Sequence, residues 1–314
     1  MGPITILVTG AGGFLGQATV RAALARGHRV RALVRQATAL PEGVEPFVAD
    51  LAGGGPVPGR AALDVQAIIH CAARLSGSQA DITRDTVTAT EALFHAVLTT
   101  GQRPRMVLVS SLSVYGAGAL APGSLLDESC ALEPNADLRD AYTRAKLAQE
   151  AVAQRLALAG NLPLWLIRPG IIWGKGHLDN AHLGVALGPV LLRAGAGQLP
   201  LAHVDHVAEA LVAAAELRAN GAEALNIVDD DLPGRARYLA ARSGGRLVLP
   251  LHWRLVDGLA AALSPMAAHL PGLLRRPVLR TRLMPLRYSN ARAKARLDWR
   301  PRLPFSTAMR QALS

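Results

Sequence analysis

With 314 residues, half of them hydrophobic, the chain is long and apolar enough for one large α/β unit or for such a unit with an appended lobe. The formal net charge of +11 comes almost wholly from arginine, but the arginines are scattered and not interleaved with aromatics, which argues against a nucleic-acid-binding face. Cys71 and Cys130 form neither a disulfide framework nor a metal spacing, and no apolar run reaches the roughly 20 residues that span a bilayer, so the expectation is a cytoplasmic protein with reduced thiols, no signal segment and no metal.

The chain opens on an apolar, β-branched run over residues 4–8. Thr9-Gly10-Ala11-Gly12-Gly13-Phe14-Leu15-Gly16 follows, then a helical pattern through Arg26. This reads as strand, tight turn and helix. Glycines at 10, 13 and 16 let the backbone turn sharply and bring the helix N-terminus close to an anion, typically a dinucleotide pyrophosphate. Residues 28–35 (HRVRALVR) form the second strand. No Asp or Glu occurs between residues 17 and 41 to hold ribose hydroxyls, and Arg35 at the strand's end suits a 2′-phosphate, which favours NADP over NAD.

Residues 44–50 are a third, short strand. Asp50 at its end is placed either to accept from an adenine amino group or to cap the next turn. Residues 53–59 (GGGPVPG) read as a loop, which leaves the third crossover thin. Residues 65–70 form a buried strand, and the small residues Cys71, Ala72 and Ala73 after it would let a cofactor lie against the backbone. A helix is predicted over 81–99. The fifth strand, 105–109, runs into Ser110-Ser111-Leu112-Ser113-Val114-Tyr115-Gly116, with hydroxyls where open α/β sheets place their ligands.

After a polar loop at 122–139, a helix from about Asp140 to Ala159 carries Tyr142 and Lys146 on one face. A free phenol titrates near about 10, and a neighbouring ammonium would lower that, so the pair makes a proton-transfer unit. Residues 162–168 are the sixth strand, followed by Pro169-Gly170. Residues 183–194 are predicted as a short helix of a second lobe. A helix over 208–218 follows His203-Val204-Asp205-His206-Val207, with Asp205 as its N-cap. His203 and His206 lack a third ligand at metal spacing. Residues 224–228 are the last strand of the sheet. Residues 251–263 and 266–274 are amphipathic and interrupted by Pro265, Pro271 and Pro277, with Arg275, Arg276, Arg280 and Arg282 following. They suit a lid over the site, or less well a surface lying on an anionic membrane, because the prolines keep any one helix short.

Taken together, these pieces resemble an extended short-chain dehydrogenase/reductase of the NAD(P)-dependent epimerase/dehydratase and 3β-hydroxysteroid dehydrogenase-like superfamily. The resemblance rests on TGAGGFLG at 9–16, DL at 50–51, HCAA at 70–73, SSLSVYG at 110–116, YTRAK at 142–146, RPGIIWGKG at 168–176 and HVDHVAEAL at 203–211. The closing LDWRPRLPF at 297–305 has Asp298 where glycine is usual.

The resemblance implies a doubly wound parallel (Rossmann) sheet, residues 1–170 with 203–229 returning to it, and a smaller substrate lobe from 171–202 and 230–314. It makes Tyr142 the catalytic acid/base, with Lys146 on the nicotinamide ribose and lowering the Tyr142 pKa. Ser111 would hydrogen-bond the reacting oxygen. The implied cofactor contacts are the loop Gly10, Gly13, Phe14, Leu15 and Gly16, then Arg35, Asp50 and Leu51, and Cys71 to Ala73, Tyr142, Lys146 and Pro169. It also implies a homodimer formed through the helices at 81–99 and 142–159.

Departures narrow the reaction. Leu112 and Ser113 stand where sugar-nucleotide dehydratases carry an Asp-Glu pair, and Ile171 stands where many nucleotide-sugar enzymes place Asn. The run Thr86-Val87-Thr88-Ala89-Thr90 replaces a motif beginning with Asn. The expectation is an NADP(H)-dependent oxidoreductase interconverting a secondary alcohol and a ketone on a small or lipid-like substrate. A nucleotide-sugar epimerase with tightly held NAD(P) is the alternative, and a non-catalytic cofactor-binding protein is the third reading.

Overall fold

The computed structural model describes residues 2–180, 182–187, 190–242, 247–265 and 275–314. Strand β1 (Thr5–Thr9) is buried throughout. Its alternation sends Ile6 and Val8 to one face of the sheet and Leu7 to the other, so both faces are covered. Helix α1 (Phe14–Ala25) starts directly after the glycine turn, and β2 (Arg29–Val34) and β3 (Val44–Val48) follow.

The segment expected to be a loop is partly helical. A 3₁₀ turn covers Leu51–Gly53 and a short helix α2 covers Val57–Ala62. Pro56 caps α2 and Pro58 lies in its first turn, where the missing N–H groups have no helical partner to lose. After β4 (Ala67–His70) the predicted long helix is α3 (Gln79–Thr83), a π turn over Arg84–Thr88 and α4 (Ala89–Thr99).

Strand β5 (Arg105–Val109) and the two-residue β6 (Leu125–Leu126) precede α5 (Ala141–Gly160). The Asp140 carboxylate caps α5 by accepting from the Thr143 N–H at 3.2 Å. Strands β7 (Leu164–Pro169) and β8 (Ile171–Trp173) follow.

The helix predicted over 183–194 is absent. The described residues there form β9 (Val185–Leu187) antiparallel to β10 (Val190–Ala194). An apolar run of that length does not distinguish helix from strand. Gly184, at φ +140°, approaches the Leu192 carbonyl so closely that a Cβ would lie 2.2 Å from it, a contact that fixes the strand pair.

Strand β11 (Leu201–His203) leads directly into α6 (Val204–Glu216). The cap of α6 is His203, whose Nδ1 faces the Asp205 N–H at 3.4 Å. Asp205 is therefore a first-turn residue rather than the N-cap, and its charge favours the positive end of the helix. The chain continues with β12 (Ala222–Ile227), α7 (Arg235–Arg242), β13 (Leu247–Leu251), α8 (Trp253–Ala262), α9 (Arg276–Leu283), β14 (Arg287–Tyr288), α10 (Ala291–Leu297) and α11 (Phe305–Leu313). Asp298 ends α10 at φ +49°, the left-handed conformation that explains why glycine suits this position and why Asp tolerates it.

Seven parallel strands make the main sheet in the order β3-β2-β1-β4-β5-β7-β12. This is the doubly wound α/β arrangement, with its switch between β1 and β4. Helices α1 and α6 pack on one face, and α2, α4 and α5 on the other. Beyond the sheet's C-terminal edge lie β13-β10-β9 and the pairs β11-β8 and β14-β6. Of the predicted lid, 266–274 lies outside the described residues. Helix α8 exposes Leu255 and Leu259, while α9 and β14 turn toward the central cavity. Among the described residues no helix is long and apolar enough to cross a membrane.

Candidate active site

A cavity of about 590 Å³ opens at the C-terminal edge of the main sheet, at the switch between β1 and β4. One end is the glycine turn. Gly10 adopts φ +66°, and a Cβ there would lie 2.7 Å from the Ala72 nitrogen. A Cβ on Gly16 would lie 2.0 Å from the Gly10 carbonyl oxygen. Both positions therefore exclude every other residue type. The N-terminus of α1 has no side-chain cap, leaving its N–H groups and dipole to an external anion. Phe14, Leu15, Cys71, Ala73 and Pro169 line the same cavity, and Phe14 stacks on His177 with ring centroids 3.8 Å apart. Burial pushes the Cys71 thiol up to about 12, so it stays a small neutral surface.

Arg35, Asp50 and Leu51 sit apart from this cavity. The Leu51 side chain is buried in the core. Asp50 caps the 3₁₀ turn by accepting from the Ala52 N–H at 3.2 Å, and it also pairs with Arg84. Arg35, Arg74 and Arg84 converge on Asp85, at 3.0, 2.9 and 2.7 Å. Burial alone would raise the Asp85 carboxyl, but the three guanidinium groups hold it below its usual range. Three arginines thus surround the end of β2.

At the middle of the cavity α5 presents Tyr142 and Lys146 one turn apart. Tyr142 faces Ser111, which lies just beyond the end of β5, across the same cavity. Burial pushes its phenol up to about 12; the Ser111 hydroxyl opposes that shift and Asp140 adds to it. The predicted lowering by Lys146 is not present in this geometry. The Lys146 ammonium lies 5.9 Å from the Tyr142 ring and donates instead to the Val109 carbonyl at 2.8 Å and to Gln149 Oε1 at 2.9 Å. Burial brings it down to about 8, against the opposing pull of Glu150 and Cys71. At neutral pH the pair is therefore a protonated phenol beside a charged ammonium.

A polar chain leads from Lys146 across the buried strand ends. Gln149 Nε2 donates to Thr90 Oγ1 at 2.8 Å, Thr90 contacts His70 Nε2 at 2.8 Å, and Thr9 contacts His70 Nδ1 at 2.6 Å. Burial, with Lys146 second, takes His70 down to about 3, so this histidine is neutral.

Sequence reasoning missed a second network. Arg168 makes a two-pronged pair with Glu150, at 2.9 and 2.7 Å, and donates to the Tyr115 hydroxyl at 2.9 Å. That hydroxyl in turn donates to Asn226 at 2.8 Å. The network ties α5 to the ends of β5, β7 and β12 and so fixes where Tyr142 and Lys146 point. The signal was available: Glu150 falls one turn after Lys146, on the same helix face. His206 Nε2 accepts from the Arg302 and Leu303 N–H groups, and Nδ1 faces Asp229 at 2.7 Å. His206 thereby pins residues 302 and 303 to the start of α6, while the His203 N–H donates to Asp229.

The same cavity is lined by Ser113 of the serine-rich motif and Arg282 of the predicted lid, and by Arg139, Asn180, His182 and Tyr288, which no motif announced. A larger groove of about 720 Å³, between α1, α6 and residues 297–303, contains none of the glycine turn, Ser111, Tyr142 or Lys146.

A dinucleotide-binding cradle joined to a hydroxyl–phenol–ammonium set defines an NAD(P)-dependent oxidoreductase or epimerase of the extended short-chain dehydrogenase/reductase type. The chain belongs to the NAD dependent epimerase/dehydratase family, which it matches over residues 6–227. It is 29% identical to a 3-diazoavenalumate denitrifying reductase of a Streptomyces species, over 95% of this chain and 96% of that one. It is 31% identical to a 4-hydroxy-2-methyl-3-oxo-4-farnesyl-3,4-dihydroquinoline-1-oxide ketoreductase of Stigmatella aurantiaca, over 71% and 67%. A UDP-glucose 4-epimerase of Thermus thermophilus, solved in complex with NAD, shares the fold. That match has a TM-score of 0.72 and 21% identity, and it covers 99% of this chain and 98% of that one. The cradle thus fits the nicotinamide dinucleotide that the family uses.

Proposed function

We propose that this chain is an NADP(H)-dependent reductase that interconverts a ketone and a secondary alcohol on a small or lipid-like substrate, with Ser111, Tyr142 and Lys146 as its catalytic residues. The observation that carries the reading is that Ser111, Tyr142 and Lys146 line one cavity together with the glycine cradle. A dinucleotide held by the Gly10–Gly16 cradle would supply the hydride that the carbonyl carbon takes up. The Tyr142 hydroxyl gives its proton to the carbonyl oxygen, and Ser111 Oγ donates to that oxygen as negative charge builds on it. The high Tyr142 pKa keeps the proton available at neutral pH. Lys146 would hold the nicotinamide ribose and offset the phenolate left behind. Leu112, Ala117, Leu126 and Ile172 give the substrate an apolar wall. The two relatives named above are both called reductases, and the Stigmatella enzyme a ketoreductase, which agrees with this chemistry.

Arg35, Arg74 and Arg84 support NADP over NAD, because a 2′-phosphate at the end of β2 would meet three guanidinium groups rather than a free carboxylate. Mass spectrometry of nucleotide released from the purified protein, followed by NADP⁺ and NAD⁺ titration, tests the reading. An exchangeable site that prefers NADP⁺, with NADPH oxidised by a ketone panel, is the expected result. Retained NAD and inversion of a UDP-sugar without net NADH change would replace this reading with the epimerase one.

A further inference from the structure

The cavity carries a guanidinium that no described carboxylate or carbonyl engages directly. Arg282, on α9, lines the cavity, and its guanidinium has no hydrogen-bond or ion-pair partner among the described residues. The other charged groups on this wall are engaged. Arg139 pairs with Glu133 at 2.9 Å and donates to the Tyr115 carbonyl at 3.3 Å. Both Asp140 oxygens accept from Thr143, at 3.2 and 3.1 Å.

The backbone beneath Arg282 is fixed. Arg235, only 4% exposed, donates to the carbonyls of His182 at 2.7 Å, Ala196 at 2.9 Å and Arg282 at 2.5 Å. One arginine is therefore spent on holding α9 in place while the next presents a free fork to the cavity.

A second, independent observation points the same way. Four buried polar atoms on this cavity have no hydrogen-bond partner among the described residues: Ser110 Oγ, Ser113 Oγ, Arg139 Nε and Asn180 Nδ2. Buried donors without acceptors are rare in folded proteins unless a ligand completes them. Among the described residues Asp140 is the negative charge that acts on Arg282, and Arg139 adds a like charge. Lys146 puts a further cation on the same cavity.

We propose that the substrate carries an oxyanion group, seated on the Arg282 guanidinium, at the end of the molecule away from the reacting carbon. This deepens the ketone-reductase reading and rests on it. A planar guanidinium recognises a carboxylate or a phosphate through two parallel hydrogen bonds. The cavity of about 590 Å³ must also admit the dinucleotide from its pyrophosphate at Gly10–Gly16 to its reacting end beside Tyr142, so a compact oxo acid suits the remaining space better than a sugar diphosphate. The substrate class is thus a ketone bearing a carboxylate head and an apolar body.

The test uses full-length enzyme and oxo-carboxylic acids of increasing ketone-to-carboxylate spacing, each paired with its methyl ester. The acid-to-ester ratio of kcat/KM should exceed one in the parent protein. In Arg282→Met it should fall by about 10- to 100-fold, through KM, and Arg282→Lys should recover part of it. Calorimetric titration with the hydroxy acid products and with UDP-glucose gives a readout independent of turnover. Hydroxy acid binding that Arg282→Met abolishes supports the carboxylate assignment, even if no ketone is reduced, in which case only the reaction assigned above fails. UDP-glucose binding that Arg282→Met abolishes, with hydroxy acids ignored, supports an oxyanion site whose source is phosphate and removes the ketone reading. Acids and esters used equally, equal binding of every probe by parent and Arg282→Met, or no anion bound by the parent, each overturns the proposal.

Discussion

The two ends of the cavity are built from different materials. At the glycine turn the surface is backbone: Gly10 and Gly16 meet carbonyl and amide atoms at distances no side chain survives, and α1 offers N–H groups instead of residues. Away from the turn the lining is side chains, Ser113, Arg139, Asn180 and Arg282 among them, drawn from four separate segments. The first end suits a cofactor shared by many proteins. The second can change its ligand by exchanging one residue without disturbing the sheet. The contrast implies that substitutions at the cradle should damage fold and cofactor binding together, whereas those at the far end should change selectivity alone.

The largest effect is expected at Gly16. Gly16→Val drives a side chain into the Gly10 carbonyl and should abolish dinucleotide binding while lowering stability by about 3 kcal/mol or more, read by fluorescence titration and thermal denaturation. If this variant bound dinucleotide normally, the cradle would not be the cofactor site. Next is Glu150. Glu150→Ala leaves Arg168 buried and unpaired and should cost about 3–5 kcal/mol in denaturant unfolding, well above any exposed pair such as Arg155–Glu91.

The glycine turn and the Tyr142–Lys146 pair were legible in the sequence because each obeys a local rule: positive φ and close approach demand glycine, and one helical turn separates i from i+4. Arg282, Asn180 and His182 obey none. Arg282 and the Asn180–His182 segment are about 100 residues apart, and Arg235, which donates to the carbonyls of His182 and Arg282, brings them together. Residues 183–194 were misread because an apolar run has no period that separates helix from strand. The helix at 57–62 was missed because prolines that break a helix interior are compatible with its first turn. The Lys146 interaction differs from expectation for a similar reason: spacing put it on the Tyr142 face, but the Val109 carbonyl and Gln149 hold the ammonium.

Two smaller effects sharpen the comparison within the catalytic middle and at the cofactor's far end. Lys146, lowered by burial to about 8, is charged below that pH and neutral above it, while Tyr142, near 12, keeps its proton throughout. Ketone reduction should therefore be level below about pH 7 and fall as pH rises through 8, with the limb belonging to Lys146. Gln149→Leu removes an acceptor from the ammonium and should move that limb to lower pH. A limb that stays in place would detach Gln149 from the site. The mildest change is Arg35→Ala, which leaves Arg74 and Arg84 on Asp85. It should reduce the NADP⁺ over NAD⁺ binding ratio by about 10-fold, the loss of one charge-assisted hydrogen bond. An unchanged ratio would mean that Arg35 serves only Asp85.

The central claim is that Tyr142 delivers a proton while the dinucleotide delivers a hydride to a ketone. The most direct test is to supply NADPH deuterated at the transferring position together with an oxo-carboxylic acid, and to follow the carbinol carbon of the product by mass spectrometry in the parent protein and in Tyr142→Phe. The account predicts one deuterium per turnover in the parent, with the rate lowered by about 10²- to 10⁴-fold in Tyr142→Phe while dinucleotide affinity is kept. Deuterium that reaches no ketone, or that arrives equally fast in Tyr142→Phe, would contradict it.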